Sequence, residues 1–245
     1  MHKLNNFLKI DPALTAASHG TSAVTGAFYK MSQFRRALFV LIVGALASAK
    51  TSILQIVQAT DADGSDVKNI DNATCTITAN TKVNSLKITA AAVQAADTIT
   101  VNGITFTGAS AEDVNERKFL AYAEGTKDAG TAKSIADCIN DATYGVPGVT
   151  ASASAAVVTL TVDEPGKTVI TATSSSATTL AVATISAIAF VEVEATHLDE
   201  ANGFTHVAAK LTNSEAANSS VTLLRGDARY TPDQVVAASK DDVSA

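Results

Sequence analysis

The sequence predicts a mainly β protein: an antiparallel β-sandwich of jelly-roll-like form with a small α+β domain inserted into it. Three observations lead to this prediction. Hydrophobic residues make up 47% of the chain but aromatic residues only 5%, so the apolar content is mainly Ala, Val, Ile and Leu among many Thr, a mixture that favours strands. Strand-like segments recur about every ten residues with turn residues between them. Near the middle of the chain the pattern changes to a hairpin and then a helix.

The first 23 residues show no clear hydrophobic period. Asp11-Pro12 and His19-Gly20 are turn signals within them. We interpret residues 1–23 as an extended basic arm that becomes ordered against a partner.

Residues 24–95 are predicted to form the first part of the sandwich. A turn rich in Asp and Gly, DADGSD at 61–66, divides this part. Its predicted strands are VTGAFYKMS (24–32), RALFVLIVGAL (36–46), TSILQIVQAT (51–60), VKNI (67–70), ATCTITA (73–79) and SLKITAA (85–91).

The most apolar of these segments resembles a membrane helix or a signal peptide. Residues 37–49, ALFVLIVGALASA, contain no charge and follow Arg35 and Arg36. However, a membrane span needs about 20 residues, and the segment starts too far along the chain for an ordinary signal peptide. We interpret it as a fully buried strand and predict no membrane association.

Residues 96–186 are predicted to form the inserted α+β domain. In DTITVNGITFTG, Asn102-Gly103 lies between alternating residues, which predicts a hairpin. The segment ERKFLAYAEG (116–125) is predicted to be a strand. GTAKSIADCINDATYG (130–145) is predicted to be a helix capped by Thr131. One face of this helix carries Ile135, Cys138, Ile139 and Ala142. The remaining predicted strands are VTASASAAVVTLTVD (149–163), KTVITATS (167–174) and LAVATIS (180–186).

Residues 187–230 are predicted to complete the sandwich, and residues 231–245 form a polar C-terminal tail. The predicted strands are AFVEVEAT (189–196), FTHVAAKLT (204–212) and SVTLLRGDARY (220–230). In the second of these, Val207, Ala209 and Leu211 lie on one face because strand side chains alternate.

Charge is unevenly placed along the chain. Residues 1–50 carry six basic residues and one acidic residue, a net charge of +5, which leaves −11 for the rest because the whole chain carries −6. Opposite potentials steer association, so a basic start on an acidic body favours docking to a protein partner. Basic residues do not alternate with aromatic residues, so we predict no nucleic-acid binding.

The sequence contains no recognisable catalytic constellation. GTAKS (130–134) lacks the spacing of a phosphate-binding loop, and no Gly-x-Ser-x-Gly motif is present. His197 and His206 bracket Asp199 and Glu200, but their spacing matches no common set of metal ligands. We therefore predict a protein that is not an enzyme and has no cofactor or metal.

Two smaller features leave alternatives open. Asp61, Asp63 and Asp66 surround Gly64 and are interpreted as a turn, with calcium binding as the alternative, since the EF-hand spacing is not met. Cys75 and Cys138 are interpreted as buried free thiols, with a disulfide as the alternative.

The tripeptide Arg225-Gly226-Asp227 is one that many adhesive proteins present to integrins. A tripeptide is a weak motif, and this one ends an apolar strand. We interpret it as a strand end, in which Arg225 and Arg229 form ion pairs with carboxylates of this chain or of a neighbouring subunit.

Several longer stretches resemble structural proteins of tailed bacteriophages. FYKMSQFRRALFVLIVGAL, TSILQIVQATDADGSDVKNI, VEVEATHLDEANGFTHVAAKLT and LLRGDARYTPD resemble the two halves of head-associated proteins. DTITVNGITFTG and the segment from GTAKSIADCIN onwards resemble a small module that recurs in virion proteins. Together these stretches cover most of the chain between Val24 and Tyr230.

The resemblance implies a capsid decoration, or cement, protein. Such a protein is assembled in the bacterial cytoplasm, binds the outer surface of the capsid through the major capsid protein, forms homotrimers and stabilises the shell. The alternatives are a neck, tail or head-fibre component, or, from another class, a surface adhesin or carbohydrate-binding module. The residues predicted to contact the partner are basic: Lys3, Lys9, Lys30, Arg35, Arg36, Arg225 and Arg229.

Overall fold

In the computed structural model, which describes residues 8–122 and 127–228, antiparallel strands dominate and a single α-helix is found. The strands are β1 (Lys9–His19), β2 (Val24–Thr25), β3 (Tyr29–Lys30), β4 (Phe34–Val43), β5 (Thr51–Ala59), β6 (Lys68–Thr78), β7 (Ser85–Ala90), β8 (Thr98–Val101), β9 (Ile104–Ala109), β10 (Lys118–Leu120), β11 (Val149–Ser154), β12 (Val157–Val162), β13 (Ala172–Ser174), β14 (Leu180–Glu194), β15 (His206–Asn213) and β16 (Ala217–Ala228). The helix α1 covers Asp128–Asn140. The predicted mainly β class is confirmed.

The strand order is that of a jelly roll. One sheet has the order β1-β16-β4-β14 and the other β2-β15-β5-β6, with β3 also pairing with β15. If β2 and β3 are counted as one interrupted strand and β7 to β13 are left out, the sheets read 1-8-3-6 and 2-7-4-5. This is the eight-stranded, double-sheet jelly roll.

The core of the sandwich lies between the two sheets. In β4 every second side chain points inward, and Ala37, Phe39 and Leu41 are completely buried. The facing sheet contributes the predicted row Val207, Ala209 and Leu211, at most 1% exposed. Because strand side chains alternate, these inward rows fix the register of both sheets.

Residues 79–179, the β6–β14 connection, extend one sheet of the sandwich. Strand β7 pairs with β12 and with residues 180–186 of β14, so the sheet grows to seven strands ending in β12 and β11. A separate four-stranded sheet, β10-β9-β8-β13, lies beside it. Helix α1 packs on β7, β10, β11 and β12.

The strand pairing differs from the expected domain limits at residues 95 and 186. Strand β7 was expected in the first part of the sandwich, but it pairs with β12 and with residues 180–186 of β14. Strand β14 crosses the second limit without a break. Its residues 187–194 pair with β4 of the jelly roll, and its pairing with β7 contains a bulge between Thr184 and Ser186.

The expected N-terminal arm is a strand of the sandwich over residues 9–19. Strand β1 pairs antiparallel with β16, the last strand within the described residues. Residues 1–7 and the predicted tail at 231–245 lie outside the described residues.

Several predicted elements are divided or joined differently. The strand expected at 24–32 is two short strands, β2 and β3, while the segments 67–70 and 73–79 form the single strand β6. Residues 149–163 form the hairpin β11–β12 rather than one strand. The strand expected at 116–125 is reduced to β10, which runs parallel to β9.

Two local predictions, a hairpin turn and a helix cap, have different outcomes. The Asn102-Gly103 hairpin is confirmed, with φ of 48° and 83° at the two turn residues, the left-handed values that a two-residue hairpin needs. The Thr131 cap is wrong, because α1 already begins at Asp128. The Asp128 carboxylate accepts a hydrogen bond from the Ala92 amide at 2.8 Å instead.

Candidate interaction surface

Arg225 lies inside the sandwich and joins three strands. Its Nε and Nη2 atoms donate hydrogen bonds to Oδ2 of Asp11 at 2.9 and 2.7 Å, and Nη1 donates to the Lys30 carbonyl at 2.7 Å. The guanidinium also lies 4.7 Å from the ring centre of Phe34 and 5.3 Å from that of Tyr29. The arrangement locks β1, β3 and the start of β4 onto β16.

The environment of Tyr29 follows from the same contact. Burial, and then the negative charge of Asp11, raise the pKa of the Tyr29 phenol, while the charge of Arg225 acts in the opposite sense. The hydroxyl therefore remains protonated near neutral pH and donates a hydrogen bond to the Pro12 carbonyl at 2.8 Å. This bond adds a further link between β3 and β1.

These contacts decide how Arg225-Gly226-Asp227 is interpreted. Arg225 is 6% exposed, and Arg225 and Gly226 pair with Ala37 and Arg36 in the β16–β4 ladder. Asp227 is exposed, with φ of 55°, at the strand end. The interpretation as a strand end is confirmed, since an adhesive tripeptide requires an arginine that a receptor can reach.

The described basic residues of the predicted partner surface lie at one end of the jelly roll. Lys9 is opposite Arg225 in the β1–β16 ladder, and Arg36 is opposite Gly226 in the β16–β4 ladder. Lys30, Arg35 and Arg36 are exposed, whereas Arg225 is a buried structural residue and not a surface contact. Lys3 and Arg229 lie outside the described residues.

This end of the jelly roll carries charges of both signs. Arg36 lies 3.5 Å from carboxylate oxygens of both Glu192 and Glu194 on β14. A surface depression of about 520 Å³ beside Arg36 is lined by Arg35, Glu194, Glu200 and Asp227, among others. The net positive charge of residues 1–50 is therefore partly neutralised in the fold, and the surface is a mixed-charge one.

An exposed apolar area adjoins this mixed-charge end. It is formed by outward side chains of β1, β16, β4 and β14, since residues directly opposite one another in a ladder share a face. We call it the outer apolar patch, and it consists of Ile10, Leu38, Val40, Ile42, Ile188, Phe190 and Leu224. Ladder pairs within it include Ile10 with Leu224, Val40 with Phe190 and Ile42 with Ile188.

The side chains of this patch are well exposed. Phe190 is 68% exposed, Ile10 54%, Ile188 51% and Ile42 44%, while Leu38, Val40 and Leu224 are half-buried. A contiguous apolar area on a sheet face marks an interaction surface more often than scattered apolar residues do. The interpretation of residues 37–49 as fully buried is therefore wrong, since only one face of β4 is covered.

Sequence reasoning missed the outer apolar patch, although a signal for it existed. In the run Ala37-Leu38-Phe39-Val40-Leu41-Ile42-Val43, both alternating sets are apolar. A strand of a two-layer sandwich has one face against the core and one face away from it. Two apolar faces on such a strand indicate a second surface that needs a cover.

The other candidate sites have structural explanations. The Asp61 carboxylate accepts hydrogen bonds from the Ser65 amide and hydroxyl and from the Asp63 amide. The bonds from Ser65 are the main cause that lowers the pKa of Asp61. Within the described residues, no group of His, Cys, Asp and Glu side chains is placed to hold a metal ion.

The segment 195–203, which carries His197, Asp199 and Glu200, is a structured connection between β14 and β15. Asp199 forms an ion pair with Lys68 and accepts hydrogen bonds from the Asn202 side chain at 2.9 and 3.0 Å. The Lys68 and Asn202 bonds lower the pKa of Asp199. Its carboxylate thus fixes this connection against β6.

Both cysteines are free thiols, as expected, but only Cys138 is buried, and Cys75 is partly exposed. The Cys138 side chain is buried on the inner face of α1 and approaches the Lys118 carbonyl at 3.5 Å. Burial, with nearby carboxylates led by Glu112, raises the pKa of Cys138 to about 12. Burial also raises the pKa of Cys75. Such thiols are poor nucleophiles and poor metal ligands.

Among the described segments, no helix has the length and apolar character needed to cross a bilayer. Comparison with protein-family models, with curated proteins and with solved structures finds no match to this chain.

Proposed function

We propose that this chain is a non-enzymatic structural protein of a tailed-phage virion that decorates and stabilises the outer surface of the capsid. The observation that carries the proposal is the strand order, 1-8-3-6 and 2-7-4-5 in the two sheets. The jelly roll is the architecture of many viral capsid proteins, and also of lectins and cupins. This is a fold-level analogy, and the sequence resemblance narrows it to tailed phages.

The surface chemistry supports contact with another protein. The exposed Lys30, Arg35 and Arg36 lie at one end of the jelly roll beside carboxylates. Charges of both signs at the border of an interface determine the orientation and choice of the partner more than they increase affinity. In the proposed function, this end faces the major capsid protein, and many weak contacts repeated over the shell add up to stabilisation.

The internal organisation suits a protein that resists deformation. The first and last strands are neighbours in one sheet, and the buried Arg225–Asp11 pair ties them together. Strand β14 belongs to both parts, since it pairs with β4 of the jelly roll and with β7 of the β6–β14 connection. The homotrimer implied by the family resemblance remains a prediction.

The copy number in purified virions tests the position of the protein. A decoration protein is expected on the order of hundreds of copies per particle, following the shell symmetry, whereas a neck component is expected at about a dozen. Quantitative mass spectrometry against the major capsid protein measures this. A count near a dozen would exclude decoration and favour the neck or tail alternative.

Binding to shells that lack the protein tests the contact. Purified chain added to such shells is expected to co-sediment with them and to raise their melting temperature. Arg35→Glu should weaken binding, whereas Lys87→Glu, an exposed charge reversal on β7, should not. Equal binding by both variants would show that the mixed-charge end does not contact the shell.

A further inference from the structure

The outer apolar patch requires a cover that the jelly roll itself does not provide. The inner face of the same four strands packs against the second sheet, whereas the side chains of the patch are exposed or half-buried. Its most exposed member, Phe190, lies on β14, the last of the four strands, opposite Val40. Aromatic side chains are enriched at protein–protein interfaces.

The shape of the patch restricts what can cover it. Four strands lie about 4.8 Å apart, and the three outward rows that carry the patch, together with the charged row of Arg36 and Glu194, lie about 6.7 Å apart, which gives a nearly flat face of roughly 19 by 27 Å. That is on the order of 500 Å², close to the roughly 600 Å² per partner at the low end of stable interfaces. A flat sheet face is complemented best by another flat sheet face.

The remaining surface does not offer this chain a different apolar area to bind. Elsewhere in residues 8–122 and 127–228, the exposed large hydrophobic residues are scattered. Each of them lies on a different element or loop. They are Ile53, Val67, Tyr144, Val169 and Ile185. Head-to-tail contacts between copies would need a second patch, whereas a two-fold contact uses the same patch twice.

The charges beside the patch are compatible with such a two-fold contact. The row that borders it contains Arg36 opposite Glu194, and Glu192 lies one row further in, opposite Leu38 of the patch. A border of one sign would repel its own copy, but a border with both signs can face itself with opposite charges paired.

We propose that two copies of this chain associate face to face through the outer apolar patch, about a two-fold axis. The association is a property of the isolated chain and does not depend on the capsid. It buries Phe190 against the apolar face of the second copy and places the mixed-charge rows at the border of the contact.

Sedimentation of the full chain over a range of concentrations tests the proposal. The wild-type chain is expected to be a dimer that dissociates on dilution. Phe190→Glu should weaken dimerisation at least about tenfold, because it buries a charge in an apolar contact. Phe190→Leu should retain most of it. Since Phe190 is 68% exposed, the folded monomer should tolerate both changes, which circular dichroism checks.

A matched control distinguishes this contact from general surface hydrophobicity. Val169→Glu changes an exposed apolar residue, 43% exposed, on the β6–β14 connection and should leave the dimer intact. A wild-type chain that is monomeric, or a dimer that Phe190→Glu does not weaken, would overturn the proposal. A trimer would also overturn it, and would favour the homotrimer that the family resemblance implies. Loss of shell binding in Phe190→Glu without a change in oligomeric state would also overturn it, because the shell would then be the cover.

Discussion

Arg225 on the last strand and Asp11 on the first strand form a buried ion pair across 214 positions of sequence, with Nη2 2.7 Å from Oδ2. The two side chains are only 8% and 11% exposed. Removing one partner of this pair should strongly lower the free energy of unfolding, because the charge of the other partner would have little access to water.

We expect Asp11→Ala to lower the free energy of unfolding by about 3–5 kcal/mol, since it leaves the Arg225 guanidinium buried without its partner. The double replacement of Asp11 by Leu and Arg225 by Met should cost less than Asp11→Ala, because it leaves no unpaired charge buried. Arg36→Ala, which breaks exposed ion pairs, should cost less than about 1 kcal/mol. Urea denaturation measures the wild type and these three variants, and a double variant that loses as much stability as Asp11→Ala would contradict the expectation.

Helix α1 offers a pair of hydroxyls with opposite expected effects. The Thr131 hydroxyl is buried without a hydrogen-bond partner among the described residues. Ser134 accepts a hydrogen bond from the Leu120 amide at 2.8 Å and donates one to the Glu112 carboxylate. Thr131→Val should therefore raise the free energy of unfolding by about 1 kcal/mol, and Ser134→Ala should lower it by about 1–2 kcal/mol. Thermal denaturation compares them, and a destabilised Thr131→Val would show that this hydroxyl is satisfied in solution.

The thiols should be unreactive in the native protein. With its pKa raised to about 12, Cys138 has almost no thiolate at pH 8, and burial also blocks access to the sulfur. An aromatic disulfide reagent should label Cys138 only after unfolding in denaturant, and Cys75 slowly before it. The melting temperature should be the same with and without a reducing agent, because the cysteines are free. A drop on reduction would indicate a disulfide.

His206 should make folding stability depend on pH near neutrality. Burial, followed by the charge of Lys30, lowers the pKa of His206 below its ordinary value of 6.5. The unfolded chain therefore binds this proton more readily, and the stabilising contribution is complete above about pH 6.5 and is lost as pH falls towards the folded pKa. The difference in unfolding free energy between wild type and His206→Asn should shrink over this range. A pH-independent difference between pH 7 and pH 5 would contradict it, and His197→Asn serves as the control.

The class of fold and several rows of inward-facing side chains could be predicted from the sequence. Strand spacing indicated the sandwich, and alternation placed Val207, Ala209 and Leu211 together, because the pattern of one strand depends on local spacing alone. Asn102-Gly103 determined a hairpin for a similar local reason, since few residues adopt its backbone angles.

The candidate surface depends on pairings that one strand cannot reveal. That Arg225 meets Asp11, or that Ile42 lies beside Ile188, follows from ladders between distant segments. The continuity of β14 was hidden by the bulge at Thr184 and Ser186, which interrupts the alternation there. The prediction of a cap at Thr131 failed because the N-cap of α1 is Lys127, four residues earlier, and Asp128 in the first turn accepts a hydrogen bond from the distant Ala92 amide.

The position of β16 between β1 and β4 has a consequence for the timing of folding during synthesis. One sheet of the jelly roll lacks a central strand until residues 217–228 have left the ribosome. Until then β1 has no neighbouring strand in the sheet, and the unpaired backbone edge of β4 can pair with strands of other nascent chains. We therefore expect slow closure, typical of pairing between distant segments, and a requirement for chaperones when the chain is made in large amounts.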